Sequence, residues 1–442
     1  MSAVLGLAAL VAALLAQPVV PDASPAPEPP PAASAAPAPA ASPPSLEGYW
    51  TGAFIANGRG LDATIAFQRD AAGRWTGRFD APSQLVMEYP LDSVTAAGTD
   101  VAFALGDGAL TFHARVSGDV LTGTMRTAGR AESFALRRTT PPSVPYTTID
   151  VSFPSGNANI AGTILMPKTP GPHVAVLLVH GSGYETRWGT NYAIADRLAR
   201  RGIAALVYDK RGTGDSSGSW QTATFQTLAR DAVAAIALLR ERPEIDPTKI
   251  GVWGNGQGAC LAPQIAVEGD AAFVVAADGM AEPEYRQDLY RTKNFLIASG
   301  LGGDALREAY GLYAQFVDVA RTGRGYDALA ARLRADRLQP WLPLLAIPPR
   351  SSYVWSWAPA AIDYDSSTYW RRVRVPVFLI YGEDDRTVPV GASIDGIEAL
   401  VGRNAHADVA AAIVPHADHA RCTSIRKPEP SPGGTRRPNT RG

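Results

Sequence analysis

KIGVWGNGQGACLAPQIAV, residues 249–267, reads as a β-strand, a tight turn and a helix in immediate succession. The apolar run ends in Gly254-Asn255-Gly256-Gln257-Gly258, and an Ala/Leu/Ile pattern resumes at once. A buried strand that turns straight into a helix is half of a parallel-sheet unit. The flanking segments repeat the alternation. VAVLLVHG (174–181) is continuously apolar, as a strand buried on both faces should be. NYAIADRLARRG (191–202) has helical spacing, IAALVYDKRGTGDS (203–216) is a second buried strand entering a loop, and FQTLARDAVAAIALLRER (225–242) is an amphipathic helix. AAFVVAADG (271–279) and VRVPVFLIYGEDD (373–385) add two more strands. The expected class is α/β, a mostly parallel sheet covered on both faces, with helix-like residues 281–350 inserted as a cap.

Upstream the pattern differs. Residues 46–138 alternate apolar and polar in short runs, such as Ala63-Thr64-Ile65-Ala66-Phe67 and Val101-Ala102-Phe103-Ala104-Leu105. Glycine turns punctuate them at Ala72-Gly73, Ala97-Gly98 and Ser117-Gly118-Asp119. Period two with such turns predicts an antiparallel meander of about seven or eight strands, a small barrel or sandwich. His113, in one of these strands, reads as a surface or packing residue. Residues 18–45 are almost all Ala, Pro and Ser and predict an extended tether. The apolar stretch within residues 1–17 has the length of a signal-peptide core, although no Lys or Arg precedes Arg59, and export is expected. Residues 421–442 carry six basic groups, one Glu and four prolines, and predict a disordered basic tail.

Composition removes several classes of function. The 442 residues carry 41 Lys+Arg against 42 Asp+Glu, a net charge of −1, without the basic excess of a phosphate-neutralising nucleic-acid binder. Two cysteines, Cys260 and Cys422, are too few for a disulfide scaffold or a Cys-rich zinc site. No apolar run reaches the ~18 residues of a good spanning helix. Clustered Cys/His ligand spacing is lacking, so no metal or cofactor is implied.

Four segments stand in a telling order: VHGSGYETRWG (179–189), YDKRGTGDSSG (208–218), IGVWGNGQGA (250–259), and LIYGEDDRTVPV (379–390) followed by PHADHA (415–420). Together they resemble the secreted α/β-hydrolases of the dipeptidyl-aminopeptidase/acylaminoacyl-peptidase-like group, over about residues 143–420. EGYWTGAF (47–54), RWTGRFDAP (74–82) and GDVLTGTM (118–125) resemble the lipocalin-like β-domain that precedes some of these enzymes. The resemblance implies esterase or serine-peptidase chemistry on a small acyl ester or peptide. It also implies a nucleophile elbow of the form G-x-S-x-G, whose serine is raised above the sheet on a strained turn. Here the serine position is Gly256, which has no side chain to attack a carbonyl.

The remaining family positions are filled. Spacing from Gly382 and the following Val388-Pro389 put the triad acid at Asp385, with Asp384 as its neighbour. The histidine aligns on His419, leaving His416 as a surface alternative. The Gln257 N–H would be one oxyanion donor, and Gly183 or Tyr184 would supply the second. Asp209 and Arg211 read as loop pins, Cys260 as a buried inert thiol, and Trp341, Trp355, Trp357 and Tyr364 as either an acyl-pocket lining or packing. Two functions follow: a serine-type hydrolase with its nucleophile missing, or a non-catalytic binder of an acyl or peptide ligand.

Overall fold

A computed structural model describes residues 45–56, 59–127, 130–403 and 408–419. The expected signal stretch, the basic tail and Cys422 lie outside the described residues, as does the tether except Ser45.

The N-terminal part is one antiparallel sheet. Its strands are β1 (Gly48–Ala56), β2 (Arg59–Arg69), β3 (Trp75–Ala81), β4 (Val86–Pro90), β5 (Ser93–Ala97), β6 (Asp100–Leu105), β7 (Leu110–Ser117), β8 (Val120–Thr127) and β9 (Arg130–Thr139). They are ordered β4-β3-β2-β1-β9-β8-β7-β6-β5 and form a half-barrel. The sequence predicted seven or eight strands, and nine are present because the short turn Pro82–Gln84, ending on Leu85 with positive φ, sets β4 off from β3. Inward residues alternate as the pleat demands, and Trp50, Phe54, Phe67, Phe103, Phe112 and Phe134 form the core. Phe103 and Phe112 stack at 4.3 Å.

The second part is an eight-stranded sheet. It opens on an antiparallel hairpin, β10 (Tyr146–Ser155) and β11 (Ala158–Pro167). Then follow β12 (His173–Val179), β13 (Ala204–Tyr208), β14 (Ile245–Asn255), β15 (Val274–Ala277), β16 (Val377–Gly382) and β17 (Val409–Val414). The order is β10-β11-β13-β12-β14-β15-β16-β17, parallel from β13 onward.

Helices cover both faces. Helix α1 (Thr190–Ala199) packs Tyr192, Ala195 and Ala199 on one face. Helices α2 (Phe225–Arg240) and α3 (Gln257–Glu268) pack on the other. In α2 the apolar positions Phe225, Leu228, Ala229, Ala232, Ala235, Ile236 and Leu239 fall on one stripe and are buried, and the Thr224 hydroxyl caps the Thr227 N–H. Truncating Leu228 or Ile236 to Ala there should cost about 2–5 kcal/mol.

Between β15 and β16 lie α4 (Glu284–Ala298), α5 (Gly303–Thr322), α6 (Tyr326–Ala335), α7 (Val354–Ala361) and the short α8 (Ser367–Trp370). Leu296, Leu312, Phe316, Leu329 and Trp341 give these helices a core of their own. Helix α9 (Val390–Val401) leads from β16 to β17.

Candidate active site

The strand β14 stops at Asn255 and helix α3 starts at Gln257, so a single residue, Gly256, makes the turn. It sits at φ 52°, ψ −112°, a conformation that L side chains rarely adopt. The flanking glycines answer to close approach. A Cβ on Gly258 would lie 2.6 Å from the Val179 carbonyl oxygen, and one on Gly254 would strike the Gly258 backbone. A Cβ on Gly256, by contrast, would meet nothing within 4 Å except Nε2 of His419, at 3.6 Å. The turn is strained but open.

His419 follows β17, and Asp385 follows β16. The adjacent parallel strands bring them together: Nδ1 of His419 is 2.8 Å from Oδ2 of Asp385. With Nδ1–H donating to the carboxylate, Nε2 is left as the acceptor facing the elbow. The Asp385 side chain is buried, and its Oδ1 accepts the N–H groups of Thr387 (2.6 Å) and Val388 (3.1 Å). These bonds fix the carboxylate before it meets the histidine. His416 is exposed and pairs with Glu383 through its backbone N–H, away from Asp385.

The donors predicted for an oxyanion are placed on two converging segments. Gln257 is the first residue of α3, and the first N–H groups of a helix have no partner inside it. The N–H groups of Ser182, Gly183 and Tyr184, in the turn after β12, make no hydrogen bond with the described residues. Tyr184 is 44% exposed. Asp209 accepts the N–H groups of Arg187 and Asp215, and Arg211 forms a buried ion pair with Asp231 at 2.5 Å, so both pin the loop after β13.

Other sequence candidates are elsewhere. Cys260 is buried one turn into α3, and its thiol is pushed far up by burial and by the Glu284 carboxyl. Trp341 and Trp355 belong to the cap core, Trp357 donates to the Ala223 carbonyl, and Tyr364 stacks on Phe225, so packing accounts for all four. His113 is exposed on β7.

Two carboxyl groups near the histidine went unnoticed in the sequence. Asp278 follows β15, is fully buried and has φ 56°. Together with Asp385 and His419 it forms the one group among the described residues with metal-ligand atoms within 4.8 Å of one another. Since Nδ1 and Oδ2 are spent on each other, the trio reads as a histidine with a second buried carboxylate behind it. Glu284, at the start of α4, is half-buried and is pushed up to about 7 by burial first and then by Asp288, with Arg291, the Cys260 thiol and His419 pulling the other way. Neither bears a local motif. Only the placement of β15 beside β16, and of Glu284 against the Cys260 thiol, reveals them.

The alpha/beta hydrolase family profile matches residues 176–429, more than half of the chain. The chain belongs to the alpha/beta hydrolase family. Curated relatives include the quorum-quenching protein AidA of Acinetobacter baumannii, 32% identical over 117 residues that cover 26% of this chain and 38% of AidA. The esterase EstD of Thermotoga maritima is 26% identical over 252 residues, 55% of this chain and 54% of EstD. The alpha/beta hydrolase chain thus spans under two thirds of either relative. The Pyrococcus furiosus esterase PF2001 superposes with a TM-score of 0.40 at 20% identity, over 64% of this chain and 88% of that one.

Proposed function

We propose that this alpha/beta hydrolase holds the acid–base half of a serine-hydrolase triad, Asp385 and His419, in working order around an elbow that lacks its nucleophile. The carrying observation is the 3.6 Å between Nε2 of His419 and the position a Cβ would take on Gly256. A hydroxyl placed on that carbon comes within reach of Nε2. The histidine would take its proton as the oxygen attacks a carbonyl, and the oxyanion would form on the Gln257 N–H and on that of Gly183 or Tyr184. His419 would then return the proton to the departing alcohol or amine, and water would release the acyl group by the same route. Asp385 holds the tautomer and stabilises the imidazolium throughout.

The substrates that suit this chemistry are small carboxylic esters. The finer placement in the dipeptidyl-aminopeptidase/acylaminoacyl-peptidase-like group adds peptide or acyl-amide bonds, and the half-barrel takes the place of that group's lipocalin-like domain. As it stands, the chain forms no acyl-enzyme. A second reading, a binder of an acyl or peptide ligand, is favoured by Gly256 itself.

The test compares the chain with Gly256→Ser on p-nitrophenyl acyl esters and with a fluorophosphonate probe. We expect the serine variant to hydrolyse the esters and take the label, and the parent to take none. If the variant folds yet neither turns over nor labels, the triad assignment is wrong and binding is left.

A further inference from the structure

Directly after β13, Lys210 is 1% exposed, an uncommon place for an ammonium group. Its Nζ donates to the Gly181 carbonyl at 2.9 Å and to Oε1 of Gln257 at 2.8 Å. One side chain therefore ties the turn after β12 to the first residue of the elbow helix. Glu185 stands close by, and its carboxylate favours the charged form of Lys210. A Cβ on Gly181 would sit 3.4 Å from Oε1 of Glu185. The Lys210 backbone N–H also donates to the Glu185 carbonyl at 3.2 Å, and the Thr213 hydroxyl donates to the same oxygen at 2.6 Å.

The Gly181 carbonyl is thus held by a cation, with the Glu185 carboxylate nearby. The Gly181 carbonyl and the Ser182 N–H share one planar trans peptide and point in opposite directions. Fixing the carbonyl on Lys210 aims the Ser182 N–H away from it and sets the start of the turn that carries Gly183 and Tyr184. At the other end, the Gln257 side chain is held by the same ammonium group, beside the N–H expected to bind an oxyanion. A buried ammonium group is a poor device for stability, since apolar side chains of like volume fill the space as well. What it supplies here is orientation of two segments beyond the point where β12 and β14 cease to pair, at Val179 and Gly254.

We propose that Lys210, with Glu185, is a positioning residue that sets the spacing between the two halves of the oxyanion site. This rests on the hydrolase reading above. The charged and titratable groups facing Lys210 are Glu185 and His180, and α3 presents only the Gln257 amide. His180 is buried, and burial followed by Lys210 keeps its imidazole neutral, so the charge held at the clamp is that of Lys210. Burial draws the Lys210 ammonium down to about 8 against the pull of Glu185, which gives the clamp an alkaline limit.

The experiment uses the full chain carrying Gly256→Ser, alone and combined with Lys210→Met or with Gln257→Met, which removes one arm of the clamp and keeps the lysine. For Lys210→Met we expect kcat to fall about 10- to 100-fold, as for sub-ångström to ångström misplacement of catalytic groups, with KM within about twofold and a cooperative melt retained. Gln257→Met should give a smaller loss of the same kind. In the serine variant kcat should decline above about pH 8 as Lys210 loses its proton, and Lys210→Met should lack that limb. An unchanged kcat in both double variants, a loss confined to KM, or an alkaline limb that survives Lys210→Met overturns the clamp while leaving the hydrolase reading intact. A serine variant with neither turnover nor label overturns the hydrolase reading, and the clamp with it.

Discussion

Gly256 occupies a backbone conformation that costs a side-chain-bearing residue about 1–3 kcal/mol, yet the space beside it is free. Placing a serine there therefore trades stability for chemistry. Gly256→Ser should lower the free energy of unfolding by about 1–3 kcal/mol in urea titrations, and a stabilised variant would show that the turn relaxes on substitution. Within that variant, Asp385→Asn keeps the side chain's shape but turns an amide N–H donor toward Nδ1, which favours the other histidine tautomer. A triad of this type loses about 10⁴-fold in kcat on that change, and a loss under tenfold in ester hydrolysis would remove Asp385 from the role. At this scale the sequence is legible where a motif fixes spacing, as at Gly254, Gly258 and Asp385. It is silent where a residue acquires its place only through strand order, as at Asp278, or through a contact between distant loops, as at Lys210.

Among the elements, α4 has a direct link to the elbow helix through Glu284, whose carboxyl faces the Cys260 thiol. Its affinity for a proton is higher folded than unfolded, about 7 against 4.5. Stability linked to it is fully present below about pH 4.5 and is lost as pH rises through about 7, because the unfolded chain releases the proton more readily. Glu284→Gln should flatten that part of the stability–pH curve, read as melting temperatures from pH 4 to 8. An unaltered curve would mean that other groups cause the decline. The helices of the α/β part announce themselves by their 3.6-residue stripes and the parallel strands by unbroken apolar runs. The hairpin β10–β11 does not. Its first strand alternates like the meander before it, with Thr147, Thr148 and Asp150 among its residues, so the domain junction hides it. The half-barrel was foreseeable in kind but not in strand number, because the β3–β4 break is made by the turn Pro82–Gln84 and Leu85 rather than by glycine.

Over the whole molecule, two apolar cores meet at one seam. Strand β4 runs beside the start of α1, where the Gly189 N–H donates to the Met87 carbonyl at 2.8 Å. Trp188 lies between the guanidinium groups of Arg78, at 4.3 Å, and Arg187, at 5.0 Å. Trp188→Ala should loosen this seam, resolving one calorimetric transition into two, and a single unchanged transition would show that β4 alone holds the units together. Tyr184 and Glu185 lie only a few residues from Trp188, so the half-barrel borders the oxyanion turn. Nothing in either segment's own pattern foretells that neighbourhood. The bare turn at Gly256 also governs how turnover is organised in time. If that turn is the nucleophile position, the protein keeps no covalent record of its first substrate there. On the proposed reading, acyl transfer by the unaltered chain has donor and acceptor bound together, with sequential rather than ping-pong kinetics and no initial burst.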